Sequence, residues 1–435
     1  MKKKLKQSIA VIAVCVLVRC GGKLLDDLLI DDTASYTRLM MHEFYEQDDI
    51  DILMVGASHC FGGIAPSIVE ENTGKSVFLA SSSSQPPDVS FALIKEAVKF
   101  YDIEQIYLEI SAAIAVGTGS YKERTDMTQV YLISDYMRPS LNRVSLLLGA
   151  SSPEYYLNGF WYAKRTGVET FSWERVASVL SKKRTDLYRE FGYDYAGNDH
   201  QTYVGNGYIA ESYQIEPSKY YNNSGNNARI DTGMISNDWC DTILDMIDFC
   251  RKKNIKLTFY AAPVSNFQLA ASGNYDEYIA YVKDLVDGKA VEYVDFNLLK
   301  EDYLPYLTTN FSDGDHLNMY GAEAFSKIFS DYVNNELPRE AFYGSVREKL
   351  EKTEPEYYGI AYRDDTDGQR IRLISNHPGK LEYKVEMAYD DRESLLFQDF
   401  SQNSQLCIPY DQLGTIVVTY RLIGNGEEVS IRYDA

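Results

Sequence analysis

The chain has 435 residues, enough for two domains or for one large and one small domain. Its formal net charge of −21 argues against a nucleic-acid-binding groove, which requires clustered lysine and arginine. The acidic residues are spread along the chain, as is typical of a soluble surface. The 36 tyrosines suit half-buried packing or stacking on sugars.

The first 30 residues carry a targeting pattern. Four lysines within the first six positions precede an apolar run at 9–18, which Arg19 ends. This layout is typical of a secretory leader, and the run is shorter than the ~20 residues that span a bilayer. Residues 17–20 vaguely resemble a lipoprotein cleavage site, but Arg19 beside Cys20 departs from that pattern. We expect residues 1–30 to anchor the chain on the extracellular face of the cytoplasmic membrane, with secretion as the alternative.

Between residues 45 and 338 the chain alternates strand-like apolar runs with amphipathic helical runs. Such alternation predicts a three-layer α/β fold, with an open parallel sheet between two layers of helices. The predicted strands are 50–55, 76–80, 103–110, 257–262 and 291–296, and the predicted helices include 239–253, 275–286 and 320–333. Sheets of this kind bind ligands at the carboxyl ends of their strands.

Two further regions depart from this alternation. Residues 112–236 are rich in Tyr, Ser, Asn and Gly, and an insertion of this length predicts a partly helical cap or substrate wall. A charged helical linker at 339–353 follows the α/β unit. Residues 354–435 hold short alternating runs between turn signals, which predict a small antiparallel β-sandwich as an accessory domain.

The cysteines and histidines form no metal or cofactor motif. Past the leader the cysteines stand at 60, 240, 250 and 407, with no Cys-x-x-Cys pair and no Cys/His cluster at metal-ligand spacing. Cys240 and Cys250 fall on one predicted helix, about 15 Å apart by rise and too far for a disulfide. We therefore predict no metal site, no cofactor and no disulfide scaffold.

Two short motifs carry the candidate chemistry. Gly56-Ala57-Ser58-His59 follows the first predicted strand, and Asp313-Gly314-Asp315-His316-Leu317-Asn318 precedes the last predicted helix. A serine hydroxyl is a good nucleophile only when a base takes its proton and a third group orients that base. We predict Ser58 as the nucleophile, His316 as the base and Asp313 as the orienting acid, with Asp315 as its competitor.

Each motif taken alone has a plainer interpretation. Gly-Ala-Ser at a strand end is common turn chemistry, and Asp-Gly-Asp-His is often a polar turn. The second motif also suggests a calcium-dependent binding module that uses Asp313 and Asp315, although the remaining calcium ligands are missing. The joint position of the motifs, at the first strand and before the last helix of one α/β unit, favours a shared site.

On these motifs the chain resembles the SGNH/GDSL hydrolases, in the membrane-anchored cell-envelope branch related to D-alanine-transfer and alginate O-acetylation proteins. Members resemble it in a Gly-x-Ser-His block after the first strand and an Asp-x-x-His-x-Asn block before the last helix. The stretch at 78–86, Phe-Leu-Ala-Ser-Ser-Ser-Ser-Gln-Pro, is similar to the second block of that branch. The resemblance covers about residues 45–335 and implies a flavodoxin-like SGNH fold with Ser58, His316 and Asp313 as the triad.

The resemblance also implies an oxyanion hole formed by the N–H of the nucleophile, a Gly of the second block and an Asn of the third. Here Ser82 or Ser83 stands near the position of the Gly, and the third block, at 107–111, has no Asn. Loss of one such donor typically lowers the rate ~10²–10³-fold. We expect the N–H of Ser58 and the backbone N–H groups of Ser82 and Ser83 to supply the donors.

The sequence thus predicts a serine esterase or O-acyltransferase acting on acyl esters, most simply acetyl esters, of cell-envelope or extracellular polysaccharide. Gln85 and Asn318 are candidates for the substrate pocket, and His59 either lines the acyl pocket or packs. The alternative on the same fold is a catalytically degenerate glycan-binding or envelope-assembly protein.

Overall fold

The computed structural model describes residues 14, 19–33, 35–166, 171–192, 199–223, 229–424 and 426–433. Apart from residue 14, the predicted anchor run at 9–18 lies outside these described residues. The helix that follows it, at 19–29, is largely exposed, including Leu24 and Leu25. No helix in the described part of the chain combines the length and the apolar character needed to cross a membrane.

Helices and strands alternate along the α/β unit, and a mostly helical insertion interrupts them. Before the insertion lie α1 (19–29), α2 (Tyr36–Glu46), β1 (Ile52–Gly56), α3 (Ser58–Gly63), α4 (Pro66–Thr73), β2 (Val77–Ser81), α5 (Pro87–Ala97) and β3 (Gln105–Glu109). The insertion contains α6 (Ala112–Gly117), α7 (Thr128–Ser134), α8 (Leu141–Gly149), α9 (Tyr156–Phe160), α10 (Tyr162–Thr166), α11 (Trp173–Lys183), α12 (Asp186–Arg189), β4 (Gln201–Gly205), β5 (Tyr208–Glu211) and β6 (Tyr221–Asn223). The unit then continues with α13 (Asn237–Lys253), β7 (Lys256–Ala261), α14 (Asn266–Ser272), α15 (Tyr275–Val286), β8 (Glu292–Asp295) and α16 (Met319–Val333). The C-terminal part comprises α17 (Val346–Lys352), β9 (Tyr357–Asp365), β10 (Gly368–Ser375), β11 (Leu381–Ala388), β12 (Leu395–Ser401), β13 (Gln405–Ile408), β14 (Thr415–Leu422) and β15 (Val429–Tyr433).

The central sheet has five parallel strands in the order β2-β1-β3-β7-β8. Every residue of β1 and β2 is buried, as an all-parallel sheet covered by helices on both faces requires. Two separate apolar clusters fill the two faces of the sheet. The predicted three-layer open parallel sheet is confirmed. The direction of winding reverses between β1 and β3, which creates a crevice at their carboxyl ends.

The insertion reaches the site through the β4–β5 hairpin, which docks on the free edge of β2. The N–H of Leu79 on β2 donates to the carbonyl of Asn206 in the hairpin turn (3.0 Å). Gly207 has φ +81°, and a Cβ there would lie 2.0 Å from the carbonyl oxygen of Leu79, so only glycine fits this close approach. The hairpin therefore stands beside the carboxyl end of β2.

The C-terminal region forms the predicted β-sandwich. Its sheets run β13-β10-β9-β6 and β12-β11-β14-β15, and one apolar cluster that includes Tyr357, Leu373, Tyr383 and Val418 lies between them. Two of its strands lack a buried apolar alternation, because β9 ends in a charged run and β12 has no fully buried residue. The insertion supplies β6, which pairs in parallel with β9.

Candidate active site

Ser58 is held at the tip of β1 by a sharp turn into the short helix α3. β1 ends at Gly56, and α3 begins at Ser58. A Cβ on Gly56 would lie 2.4 Å from the Cβ of Glu109, at the end of the neighbouring strand β3. The buried Glu109 carboxylate in turn accepts a hydrogen bond from the Ala57 N–H (3.1 Å). The turn that presents Ser58 is therefore fixed by contacts with the end of β3.

The structure brings together the three residues predicted as a triad. The Ser58 Oγ lies 2.7 Å from the His316 Nε2. The His316 Nδ1 lies 3.0 and 3.1 Å from the two carboxylate oxygens of Asp313. One of these oxygens also accepts the backbone N–H groups of Asp315 and His316, both at 2.7 Å. A serine hydroxyl, an imidazole and a carboxylate are thus joined by continuous hydrogen bonds, the arrangement that an activated serine requires.

The geometry distinguishes Asp313 from its competitor Asp315. Partial desolvation raises the pKa of the half-exposed Asp313 carboxyl, but its hydrogen bonds to His316 and to the two backbone N–H groups outweigh that effect and lower the pKa overall. Asp315 instead faces His59, with its Oδ2 3.3 Å from the His59 Nε2. The two carboxylates therefore serve different histidines and do not converge as calcium ligands would.

His59 is buried beneath the triad. It is 8% exposed, and its ring stacks on that of His316 with 4.6 Å between centroids and 9° between planes. Its Nδ1 lies 3.8 Å from the Glu109 Oε1. Burial lowers the pKa of His59, but the carboxylate of Asp315, followed by that of Glu109, raises it to about 9. The same ion pair lowers the pKa of Asp315 to about 2.

The serine run after β2 forms the wall next to Ser58. The hydroxyl of Ser82 is buried and donates to the Gln85 Oε1 (3.0 Å), so it faces away from the cavity. Ser83 and Ser84 line the cavity beside Ser58. The N–H of Ser83 already donates to the Tyr36 hydroxyl (2.8 Å), and its Oγ lies 3.3 Å from the same oxygen. Ser84 has φ +47°, a left-handed conformation that costs a non-glycine residue of order 1 kcal/mol.

The cavity that contains Ser58 has a volume of about 590 Å³ and includes Asp313 and His316 in its lining. The β4–β5 hairpin and its flanks form the opposite wall. The residues that they contribute are His200, Gln201, Ile209, Glu211 and Tyr213. The rings of His200 and Tyr213 lie 5.3 Å apart. The insertion thus provides one side of the cavity.

Two residues predicted for the substrate pocket have structural roles instead. Gln85 is 2% exposed, and its Nε2 donates to the Ala80 carbonyl and to the Ser90 hydroxyl, which closes the loop after β2. Asn318 is fully buried and caps α16, accepting the N–H groups of Tyr320 and Gly321. Neither side chain lines the Ser58 cavity. Hydroxyl and backbone groups of the surrounding fold occupy both amides, so we no longer propose either residue for the substrate pocket.

One cluster of described residues could hold a metal ion. His59, Asp315 and His316 each bring a potential ligand atom to within 4.8 Å of the others. Both ring nitrogens of His316 already form hydrogen bonds, however: Nε2 with the Ser58 hydroxyl and Nδ1 with the Asp313 carboxylate. The neighbouring carboxylates raise the pKa of His59 to about 9, so a metal ion would have to displace a proton from that ring. The donor set therefore fits poorly with a resident cation.

Three features of the site were not predicted by the sequence analysis. They are Glu109, which braces the turn before Ser58; Tyr36, which holds Ser83; and the β4–β5 hairpin. Glu109 belongs to the third block, at 107–111, which lacks the Asn that the family resemblance implies. Its position at the end of a buried strand next to β1 is the signal that could have identified it.

Comparison with known proteins gives only distant likenesses. No family model and no curated protein matches the chain. Among solved structures, it is similar to a protein from Desulfitobacterium hafniense assigned to the G-D-S-L lipolytic family (TM-score 0.30, 9% identity, 64% of this chain and 97% of that one). It is also similar to an assigned acylhydrolase from Bacteroides fragilis (0.31, 8%, 68% and 95%) and to an assigned platelet activating factor from Streptococcus pneumoniae (0.32, 12%, 72% and 97%). Likeness at this level carries no argument about activity, so function is argued from the site.

Proposed function

We propose that this chain is a serine ester hydrolase. The observation that carries the proposal is the continuous hydrogen-bonded series from Ser58 through His316 to Asp313 at the carboxyl end of the sheet. A polar turn alone requires neither a serine hydroxyl nor an oriented imidazole at bonding distance. The fold supports the same conclusion, because open α/β sheets place their ligands at this edge.

The proposed reaction proceeds through an acyl-enzyme. The Ser58 Oγ attacks the ester carbonyl while its proton passes to the His316 Nε2. His316 then gives that proton to the leaving alkoxide as the carbon–oxygen bond breaks. A water molecule loses its proton to His316 and attacks the acyl carbonyl, and the second tetrahedral intermediate releases the acid and restores Ser58. Asp313, ionised beside Nδ1, stabilises the imidazolium in both steps.

The developing oxyanion needs donors that point into the cavity. We assign this role to the Ser58 N–H, at the first turn of α3, and to the hydroxyl of Ser83, which lines the same cavity. The Ser82 hydroxyl donates to Gln85 and is left out of this assignment, while its backbone N–H stays among the expected donors. Tyr36 is given a positioning role, since its hydroxyl holds the Ser83 backbone in place.

The lining of the cavity supports a sugar ester as substrate. His200, Tyr213 and Phe61 supply ring surfaces, and Gln201 and Glu211 supply polar groups, a combination that suits sugar hydroxyls. The described lining residues include no lysine or arginine, and Asp313 and Glu211 add negative charge. We therefore propose neutral acylated glycans, most simply acetylated ones, as the substrate class.

Hydrolysis is favoured over transfer to a second sugar. The Asp313 side chain is 55% exposed and that of His316 is 31% exposed, so water reaches the triad. Acyl transfer requires water to be excluded from the acyl-enzyme. The cell-envelope location stays part of the proposal and is supported by the leader-like pattern at residues 1–30.

The test is turnover of p-nitrophenyl acetate by the full-length chain and by Ser58→Ala. We expect the variant to lose activity at least ~10³-fold and to lose labelling by a fluorophosphonate, with an unchanged melting temperature. Ser181→Ala, on the exposed face of α11, is the matched control and should retain both. Absence of turnover and of labelling in the wild-type chain would exclude the hydrolase.

That outcome would favour a glycan-binding protein on the same fold. The observation behind this second candidate is the engaged Ser83 N–H, together with a third block that offers Glu109 in place of an amide donor. A binding protein would retain affinity for acetylated oligosaccharides in Ser58→Ala, measured by calorimetry, without any turnover.

A further inference from the structure

A second histidine lies against the proposed base. His59 follows the nucleophile directly, and its ring is parallel to that of His316 at a centroid distance of 4.6 Å. It lines a separate cavity of about 670 Å³ and is absent from the lining of the Ser58 cavity. The triad mechanism described above does not use it.

Both nitrogens of His59 face carboxylates. Nε2 lies 3.3 Å from Asp315 and Nδ1 lies 3.8 Å from Glu109. Both nitrogens are buried, and neither makes a hydrogen bond to a described group, so the contacts with the two carboxylates are charge contacts rather than hydrogen bonds. An imidazolium has two N–H donors, so a ring placed between two carboxylates is suited to the charged form.

We propose that His59 is a positioning residue that carries a positive charge. It holds the His316 ring in place by stacking on it, and its charge disfavours a second positive charge on the His316 ring. This inference rests on the proposed function, because it takes His316 as the general base. Before attack, the stacked His59 ring holds the His316 imidazole at bonding distance from the Ser58 hydroxyl. After attack, repulsion from His59 promotes transfer of the Ser58 proton to the leaving alkoxide.

The surrounding charges support this role. Burial alone would lower the pKa of His59, and the carboxylate of Asp315 is the main group that raises it, followed by Glu109 and Asp313. Glu109 reaches the pair from β3, and the two aspartates reach it from the loop before α16. Arg229 and Asp231 line the far side of the cavity, one of each sign. The carboxylates stabilise the positive charge on His59 and also weaken its effect on His316. We therefore expect loss of that charge to move the acidic limb of the pH–rate profile by about one pH unit.

The variant that isolates the charge is His59→Phe, which keeps an aromatic ring against His316. In the full-length chain, kcat and KM for p-nitrophenyl acetate are measured from pH 5 to pH 9. We expect the acidic limb of the profile to move up by about one pH unit and kcat to fall about tenfold, with KM unchanged. His42→Phe is the control, because His42 stacks on Phe191 and lines neither cavity. Its profile should match that of the wild-type chain.

The outcomes separate this inference from the proposed function. An active His59→Phe variant with an unchanged acidic limb would overturn the role of His59 while leaving the hydrolase intact. A wild-type chain without turnover or Ser58 labelling would overturn both.

Nitrogen NMR of the wild-type chain tests the charge without a variant at this position. The chain has five histidines, and single substitutions at the others assign their signals. We expect the His59 ring to keep both protons at pH 8. A ring that is neutral at pH 7 would contradict the inference even if His59→Phe fails to fold.

Discussion

The Ser58 Oγ and the His316 Nε2 lie 2.7 Å apart, although 258 positions separate the two residues. The contact depends on the packing of α16 against α3 and α4. In that interface the Ser326 hydroxyl accepts the Ala65 N–H (2.8 Å). Asn318 starts α16 and so sets where the loop of His316 ends. The site is therefore a consequence of the fold, because neither motif alone brings the two atoms together.

The two aspartates of the second motif should differ in their effect on activity. Asp313→Asn removes the charge at the His316 Nδ1, and loss of such an orienting acid typically lowers kcat ~10⁴-fold. Asp315→Asn acts mainly through His59, with which Asp315 is paired, and should lower kcat about tenfold. The measurement is kcat for p-nitrophenyl acetate at pH 7.5. Equal losses in the two variants would show that the assignment of Asp313 is wrong.

Gly56 should be intolerant of any side chain. Gly56→Ala places a Cβ 2.4 Å from that of Glu109, within a fully buried strand end, and overpacking of this kind costs ~1–3 kcal/mol. The free energy of unfolding in urea measures the cost. Gly149→Ala is the matched control, because no atom lies within 4 Å of its Cβ position at the end of α8. A Gly56→Ala variant as stable as that control would contradict the close packing.

Much of this site could be predicted from the sequence because its strands are short apolar runs and its motifs follow or precede regular elements. Ser58 and His316 were identified on that basis. Asn318 precedes an amphipathic helix, where an asparagine is often an N-cap, and the structure places it at that cap. Gln85 likewise hydrogen-bonds partners within five positions of it, on either side of the loop after β2.

Other features required three-dimensional contacts that no local pattern encodes. Tyr36 reaches Ser83 across 47 positions, and Glu109 reaches Ala57 across 52. The edge strand β6 joins the C-terminal sheet from within the insertion, so the insertion and the sandwich share backbone pairing. Composition divides the chain into these regions but gives no information on how their edges meet.

The ion pair of His59 and Asp315 should make stability depend on pH. The folded-state pKa of His59 is about 9, above its ordinary value of 6.5. The stabilisation that the charged ring contributes to the folded protein is therefore complete below pH 6.5 and is lost as pH rises through 9. The pKa of Asp315 is lowered to about 2, so the stabilisation contributed by the Asp315 carboxylate is lost only as pH falls towards 2. Counting the pair once, we expect the wild-type chain to lose ~2 kcal/mol of unfolding free energy between pH 6.5 and 9.5 relative to His59→Phe.

Urea denaturation of both chains at the two pH values measures that difference. His42→Phe should lose as much stability as the wild-type chain, since His42 lies outside the pair. A wild-type loss equal to that of His59→Phe would show that His59 is uncharged in the folded protein.

Tyr213 should affect binding of a glycan without affecting the chemistry. It lies on the hairpin side of the Ser58 cavity, where its ring is available to stack on a sugar. Tyr213→Ala should raise KM for an acetylated oligosaccharide about tenfold, equivalent to ~1.4 kcal/mol, and leave kcat unchanged, because the contact is the same in the ground and transition states. Tyr213→Phe keeps the ring and should retain most of the affinity. Tyr410→Ala, an exposed aromatic of the sandwich, is the control. If Tyr213→Ala changes KM equally for p-nitrophenyl acetate, the residue acts on the shape of the site and the glycan assignment fails.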